Sequence, residues 1–295
     1  MKTDTMISLI REQLALYNIE KNFEKVVCSP FLKWPGGKRQ LLRELLKRLP
    51  KTYNRFFEPF FGGGALFFKI KPEYGYISDI NPDLINLYEV VQDSVEELII
   101  SLKQHKNTEK HFYELRSADR SKEYKYWSKV EKASRLIYLN KTCFNGLYRM
   151  NSDGHFNVPF GFYKKPNIID EDNLIACSAL LKKTEIALAS FEAVEKKAQK
   201  GDFIYFDPPY VPLNKTSSFT KYYKDDFDLD AQFALRELCN RLTKKGVNFM
   251  LSNSYTDTVK ELYKSYNVKI VEANRAINCK ANGRGKINEL IITNY

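Results

Sequence analysis

The chain has 295 residues, 43% of them apolar and 28% charged, the make-up of an ordinary globular protein with one large core or two modest ones, which excludes a disordered or fibrous chain. Lysine and arginine exceed aspartate and glutamate by eleven, a surplus that suits an anionic partner without identifying one. Five scattered cysteines (Cys28, Cys143, Cys177, Cys239, Cys279) include no CxxC pair, and three histidines (His105, His111, His155) have no short metal-ligand spacing, so neither a disulfide framework nor a metal is expected.

Near the front, Ile7, Ile10, Leu14 and Tyr17 fall at spacings of three and four, which predicts an amphipathic helical extension over residues 1 to 28 that must cover some surface. Acids at Asp4 and Glu12 argue against a signal peptide there. No apolar run reaches the length of a membrane span, so a cytoplasmic protein without membrane contact is expected. "KWPGGKRQLLRELLKRLP" then passes from a glycine turn into a helix whose stripe of Leu41, Leu42, Leu45, Leu46 and Leu49 ends at Pro50. "RFFEPFFGGGALFFKI" reads as strand, glycine turn and helix, and "GYISDINPDLINLYEV" repeats that order. Strand and helix in alternation open a parallel α/β sheet.

From about residue 85 to 170 the pattern shifts to charged helical stretches and then to an aromatic, basic loop, "NKTCFNGLYRMNSDGHFNVPFGFYKKP". This segment reads as an insertion, mainly helical. The α/β rhythm then returns with "EIALAS" and "FIYFD" as strands, a helix from about 228 to 243, "VNFMLS" as strand and another helix. "VKIVEA" and "INELIITN" close the sheet, readable as an antiparallel pair. The expected fold is therefore α/β: a Rossmann-like sheet interrupted by a smaller helical and loop domain.

Three places carry chemistry. In "FFGGGA", glycines between a strand and a helix let backbone approach a cofactor closely. Asp79 ends the next strand, where a carboxylate can accept hydrogen bonds from a ribose diol; it can equally cap the helix that starts after Pro82. In "YFDPPY", Asp207 follows a buried strand. These residues make chemical sense if the substrate is a planar amine: the exocyclic nitrogen of a base such as adenine has its lone pair delocalised into the ring, so its hydrogens must be held by acceptors as it pyramidalises to attack an electrophile. Asp207 offers carboxylate oxygens, Pro208 a carbonyl, the Pro208–Pro209 unit a fixed direction, and Tyr210 a face for a base. The plainer alternative is a proline-stiffened turn that closes a strand. In the inserted loop, Arg149 can make a bidentate contact to guanine, Leu147 and Pro159 can meet a thymine methyl, and Phe144 and Asn145 can fill the space of a flipped base. Taken singly, Phe144 also reads as core and Arg149 as a solvated charge.

Together, "FLKWPGGKRQLL", "FEPFFGGGALFF", "SDINPDLINLY", "LNKTCFNGLYRMNSDGHFNVPFGFYKKP" and "GDFIYFDPPY" resemble, in content and order, the Dam and DpnM type of DNA adenine-N6 methyltransferases. The similarity spans residues 31 to 295 and is close to the DpnM branch through "RGKINELIITNY". Only the front departs, with about thirty residues ahead of Lys33. The resemblance implies S-adenosylmethionine as cofactor and GATC in double-stranded DNA as target. It implies catalytic roles for Asp207, Pro208, Pro209 and Tyr210, and cofactor contacts at Trp34, Lys38, Phe60, Gly62, Gly64, Asp79, Ser190, Phe191 and Asp207. Lys33, Phe144, Asn145, Leu147, Arg149, Pro159 and Tyr163 match DNA-contacting positions. Residues 29–84 with 171–295 would form the catalytic domain and 85–170 the target-recognition domain. A monomer or weak dimer is expected, acting beside a restriction endonuclease or alone as an orphan methylase. Methylation of adenine in RNA or of cytosine N4, and a binding module without turnover, are the remaining alternatives.

Overall fold

The computed structural model describes residues 28–38, 40–210, 227–274 and 286–295; the stripe expected over Ile7, Ile10, Leu14 and Tyr17 lies outside them. Two compact units divide the chain, Met1–Pro35 with Asn81–Ile186 and Gly36–Ile80 with Ala187–Tyr295.

The second unit is built on the sheet. Its strands are β1 (Phe56–Glu58), β2 (Gly75–Asp79), β3 (Thr184–Leu188, where the chain passes from one unit to the other), β4 (Phe203–Phe206), β5 (Asn248–Ser254), β6 (Asn267–Asn274) and β7 (Lys286–Thr293). They lie in the order β3-β2-β1-β4-β5-β7-β6. β1 pairs in parallel with β2 and β4, and β4 with β5, whereas β7 runs antiparallel to both β5 and β6. This is a Rossmann-like sheet ending in the antiparallel pair that the sequence suggests.

All four side chains of β4 are buried, as a central parallel strand covered on both faces requires. The helix Leu229–Lys244 starts at Asp228, whose carboxylate accepts from the Ala231 N–H. It lays Leu235, Leu238, Cys239 and Leu242, at helical spacing, into one core with Phe206, Phe249, Leu251, Leu290 and Ile292. At the opposite strand end, Arg55 pairs with the buried Asp202 at 2.6 Å and the Phe203 N–H donates to the Arg55 carbonyl, which holds β1 beside β4. From β1 the order runs outward through β2 and β3, while β4 and β5 lie on its other side. The reversal therefore falls between β1 and β4, and the carboxyl ends of strands at such a reversal are where open α/β sheets bind ligands. Glu58, Asp79 and Asp207 stand at or just past the carboxyl ends of β1, β2 and β4.

The first unit is mainly helical, with Pro82–Asp93, Val95–Lys103, Glu109–Ser117, Lys129–Thr142 and Glu171–Leu181. Lys129–Thr142 begins in a capping box, Ser128 and Glu131 each accepting the other's backbone N–H, and it is buried continuously from Ala133 to Asn140. One of its charges is internal rather than solvated: the Arg135 guanidinium donates to the Leu115 and Arg116 carbonyls and pairs with Asp119 at 2.8 Å. No helix among the described residues is long and apolar enough to cross a membrane.

Candidate active site and nucleic-acid loop

The turn after β1 is shaped by glycine. Gly62 and Gly64 have φ of 48° and 63°, values that L side chains avoid, and a Cβ on Gly64 would stand 2.5 Å from the Phe61 ring. Asp79 Oδ2 accepts the Gly62 N–H at 2.9 Å, and the Asp79 carbonyl accepts the Ala189 N–H at 3.2 Å. The capping alternative for Asp79 is excluded, because Asn81 caps the next helix by accepting from the Asp83 and Leu84 N–H groups. Phe60 stacks on Phe191 at 5.4 Å and 20°, with Phe227 edge-on to Phe60 at 5.5 Å. Ser190 is exposed beside Phe191. Phe60, Gly62, Gly64, Asp79, Ser190 and Phe191 thus fall on a glycine turn, a strand end and an aromatic wall of one unit.

The DPPY segment leaves the carboxyl end of β4. Lys38 Nζ, buried, lies 2.8 Å from Asp207 Oδ1, donates to the Gly36 carbonyl and sits 4.4 Å from the centre of the Tyr210 ring. The approach to Asp207 is an ion pair at hydrogen-bond distance. The Asp207 side chain keeps 18% of its surface exposed. Burial raises its carboxyl to about 6; the Lys38 ammonium pulls the other way, and Glu289 adds to the rise. The Tyr210 hydroxyl donates to Glu289 Oε2 at 2.6 Å, which fixes the ring. Pro208 is buried and Pro209 exposed.

Two acids here escaped the sequence reading. Glu58, inside the quoted "FEPFFGGGALFF", is buried and accepts the Phe67 N–H at 3.2 Å; burial first, then the charge of Asp207, holds its carboxyl well above the usual range. An acid inside an apolar strand was the available signal. Glu289, on β7, has no local signal for its bond to Tyr210.

The helical unit holds the other residues. Trp34 packs on Tyr148 at 4.7 Å, and the Tyr148 hydroxyl donates to Asp83 at 2.9 Å. The buried Asn140 accepts the Lys33 N–H and donates to the Lys33 and Gly146 carbonyls, tying two segments together. Two arms of the inserted loop pair through the Phe144 N–H on the Pro159 carbonyl and the Gly161 N–H on the Thr142 carbonyl. The Asn145 N–H donates to the Tyr163 hydroxyl at 3.0 Å, and Lys33 Nζ lies 5.3 Å from that ring's centre. Phe144 is 52% exposed, so it is not core. Arg149 is exposed but not loose: it donates to the Asn157 side chain at 2.6 Å and to the Asn157 carbonyl at 3.1 Å. Leu147 is half-buried and Pro159 exposed. Lys33, Phe144, Asn145, Pro159 and Tyr163 are therefore connected within one unit, while Arg149 hangs on Asn157.

Comparison with known proteins gives this geometry a family. Residues 34–277 match the model of D12 class N6 adenine-specific DNA methyltransferases. A type II methyltransferase of Lactococcus lactis subsp. cremoris is 46% identical over 281 residues, covering 94% of this chain and 98% of the relative. A type II methyltransferase of Methanocaldococcus jannaschii is 45% identical, covering 90% and 99%. The DNA adenine methylase of Escherichia coli is 33% identical, covering 88% and 93%. With a match over most of its length, and with DPPY at the carboxyl end of a central strand, the chain belongs to the D12 class of N6 adenine-specific DNA methyltransferases.

Proposed function

We propose that the protein transfers a methyl group from S-adenosylmethionine to N6 of the adenine in duplex GATC, extruded from the helix for the reaction. The observation that carries this reading is Asp207: a carboxylate at the switch point, largely desolvated, with one oxygen met by the Lys38 nitrogen at 2.8 Å, beside a ring fixed by Glu289. Lys38 shows that a nitrogen can meet this carboxylate and the Tyr210 face at once, which is what a planar amine requires.

The cofactor fits the residues present. A turn that excludes side chains at Gly62 and Gly64, the carboxylate of Asp79 and the Phe60–Phe191 wall suit a nucleoside with a ribose diol. Trp34, Lys38 and Ser190 complete the proposed set. When bound, S-adenosylmethionine supplies an electrophilic methyl group on a sulfonium. Asp207 and the Pro208 carbonyl hold the amine hydrogens and stabilise the positive charge that develops on N6, and Tyr210 stacks on the adenine. Arg149 would read guanine, Leu147 and Pro159 a thymine methyl, and Phe144 and Asn145 would fill the vacated stack, with Lys33 and Tyr163 at its border.

In this reading residues 29–84 and 171–295 bind cofactor and catalyse, and 85–170 recognise DNA. A protective role beside a restriction endonuclease is favoured over an orphan methylase, because relatives named type II methyltransferases are 45–46% identical and the Escherichia coli DNA adenine methylase 33%. The cytoplasm and a monomer or weak dimer complete the proposal. The test is transfer of tritiated methyl from S-adenosylmethionine to duplexes with GATC or single-base variants, to matched RNA and to cytosine-only targets. Incorporation confined to GATC duplexes is expected; label in another motif, in RNA or in cytosine overturns the target assignment.

A further inference from the structure

Phe162 is the most anomalous side chain of the inserted loop. It is 68% exposed and its φ is 52°, a strained combination that a bulky residue rarely adopts. Its neighbours enforce the strain. On one side the Gly161 N–H donates to the Thr142 carbonyl at 2.8 Å, and the packing is so close that a Cβ on Gly161 would stand 2.7 Å from the Cys143 carbonyl oxygen. On the other, the Tyr163 carbonyl accepts from Asn107 at 2.8 Å and the Tyr163 hydroxyl accepts the Asn145 N–H at 3.0 Å. Residue 162 is turned outward between two pinned residues, its ring meeting Phe160 edge-on at 5.0 Å. Hydrophobic burial therefore does not account for a phenylalanine here, and glycine or asparagine would hold the same backbone with less strain. The surroundings are basic: Lys33, Lys164 and Lys165 are exposed, and the chain carries a surplus of eleven positive charges.

We infer that Phe162 is a stacking contact for DNA, its ring taking the face of a base beside the extruded adenine while the nearby lysines meet phosphates. A rigid, pre-oriented ring gives up little conformational freedom on binding, and every base offers a face, so the contact adds affinity without reading sequence. Phe162 then complements Phe144, which emerges 52% exposed from the other arm of the same paired loop.

The inference rests on DNA being the substrate, and binding is measured separately from turnover so that the two can fail separately. Phe162→Gly, Phe162→Trp and the parent are compared for melting temperature, for duplex affinity by fluorescence anisotropy at several salt concentrations, and for emission of 2-aminopurine at the target adenine. Phe162→Gly is expected to melt about 1–3 °C higher through relief of strain. It should bind duplex about tenfold more weakly, with less 2-aminopurine emission and the parent's salt slope, because no phosphate contact is lost. Phe162→Trp should keep the parent's affinity. Unchanged affinity of the glycine variant overturns the inference. So does a loss that flattens the salt slope or that tryptophan does not restore, since either assigns the residue to loop conformation. A parent that binds and opens duplex yet transfers no methyl overturns the proposed reaction and leaves the Phe162 comparison valid.

Discussion

In the proposed reaction Asp207 is a charged acceptor, and its surroundings work against ionisation. Its carboxyl is raised from 3.8 to about 6, by burial first, with Lys38 opposing and Glu289 reinforcing. A carboxyl held that high still carries its proton at a pH where free aspartate is already ionised. The ionised form, the stronger acceptor and the one that offsets positive charge, is thus nearly complete at pH 7 and is lost as pH falls through about 6. His105, pushed down to about 4 by burial and then by His111, stays neutral through that window and does not mimic the effect. The expected result is a kcat/KM for S-adenosylmethionine, a quantity that reports the free enzyme, that is flat at high pH and bends near pH 6 toward a tenfold loss per unit. Asp207→Ala should fall at least ~10²-fold at pH 8 and lose the bend. Initial rates from pH 5 to 9 check this, and a parent profile flat down to pH 5 would remove Asp207 from the mechanism. Glu58 gives the complementary case. Burial and that charge hold it well above the usual range and so favour its protonated form, which glutamine mimics; Glu58→Gln should retain activity within about threefold and the Phe67 N–H should keep its acceptor. A loss above tenfold in the glutamine variant, with a normal melting temperature, would mean that the charge of Glu58 is used.

Elements place these residues by long-range ties, and one side chain tests that directly. Asn140, in the helix Lys129–Thr142, makes three hydrogen bonds to the backbone of Lys33 and Gly146. Asn140→Ala leaves the Lys33 N–H and two carbonyls without this partner, an expected loss of about 2–4 kcal/mol in unfolding free energy. Because Lys33 and the loop after Gly146 are proposed DNA contacts, KM for duplex should rise more than KM for cofactor; denaturant unfolding and paired KM measurements check both. The same kind of tie separates what the sequence discloses from what it hides. β4 is legible because "FIYF" is an unbroken apolar run between Gly201 and Asp207, and the glycine turn because φ above zero selects its residue type. DPPY and Asp79 stand where strands end, so periodicity locates them. Asp79 was ambiguous because Asn81, two residues later, can cap the same helix, and only the hydrogen bonds decide. Glu289 is 79 residues from Tyr210 and Asn140 107 from Lys33; no local pattern encodes such partners. The strain at Phe162 is equally hidden, since φ there is imposed by the neighbours' bonds rather than by its own type.

Across the whole molecule, eleven excess positive charges give attraction to any duplex, and attraction to phosphate does not choose a site. Choice has to come from a few donors whose direction is fixed before DNA arrives. Arg149 meets that condition, because two hydrogen bonds to Asn157 anchor its guanidinium. Lys164 and Lys165 are exposed side chains on flexible stems, suited to phosphate as point charges. Arg149→Ala should therefore lose about 1–3 kcal/mol at one guanine-containing base pair and methylate sites that differ from the parent's at that pair with a smaller penalty. Lys164→Ala should weaken binding to all sequences alike and reduce the salt slope by about one unit. Asn157→Ala, which frees the guanidinium without removing it, should shift discrimination in the same direction as Arg149→Ala but less far. Each variant is expressed in a host without adenine methylation, and N6-methyladenine is mapped by long-read sequencing, with duplex affinity measured between 50 and about 200 mM salt. An Arg149 variant that loses activity evenly over all sites, with no relaxation at any position and a shallower salt slope, would place this arginine among the phosphate contacts.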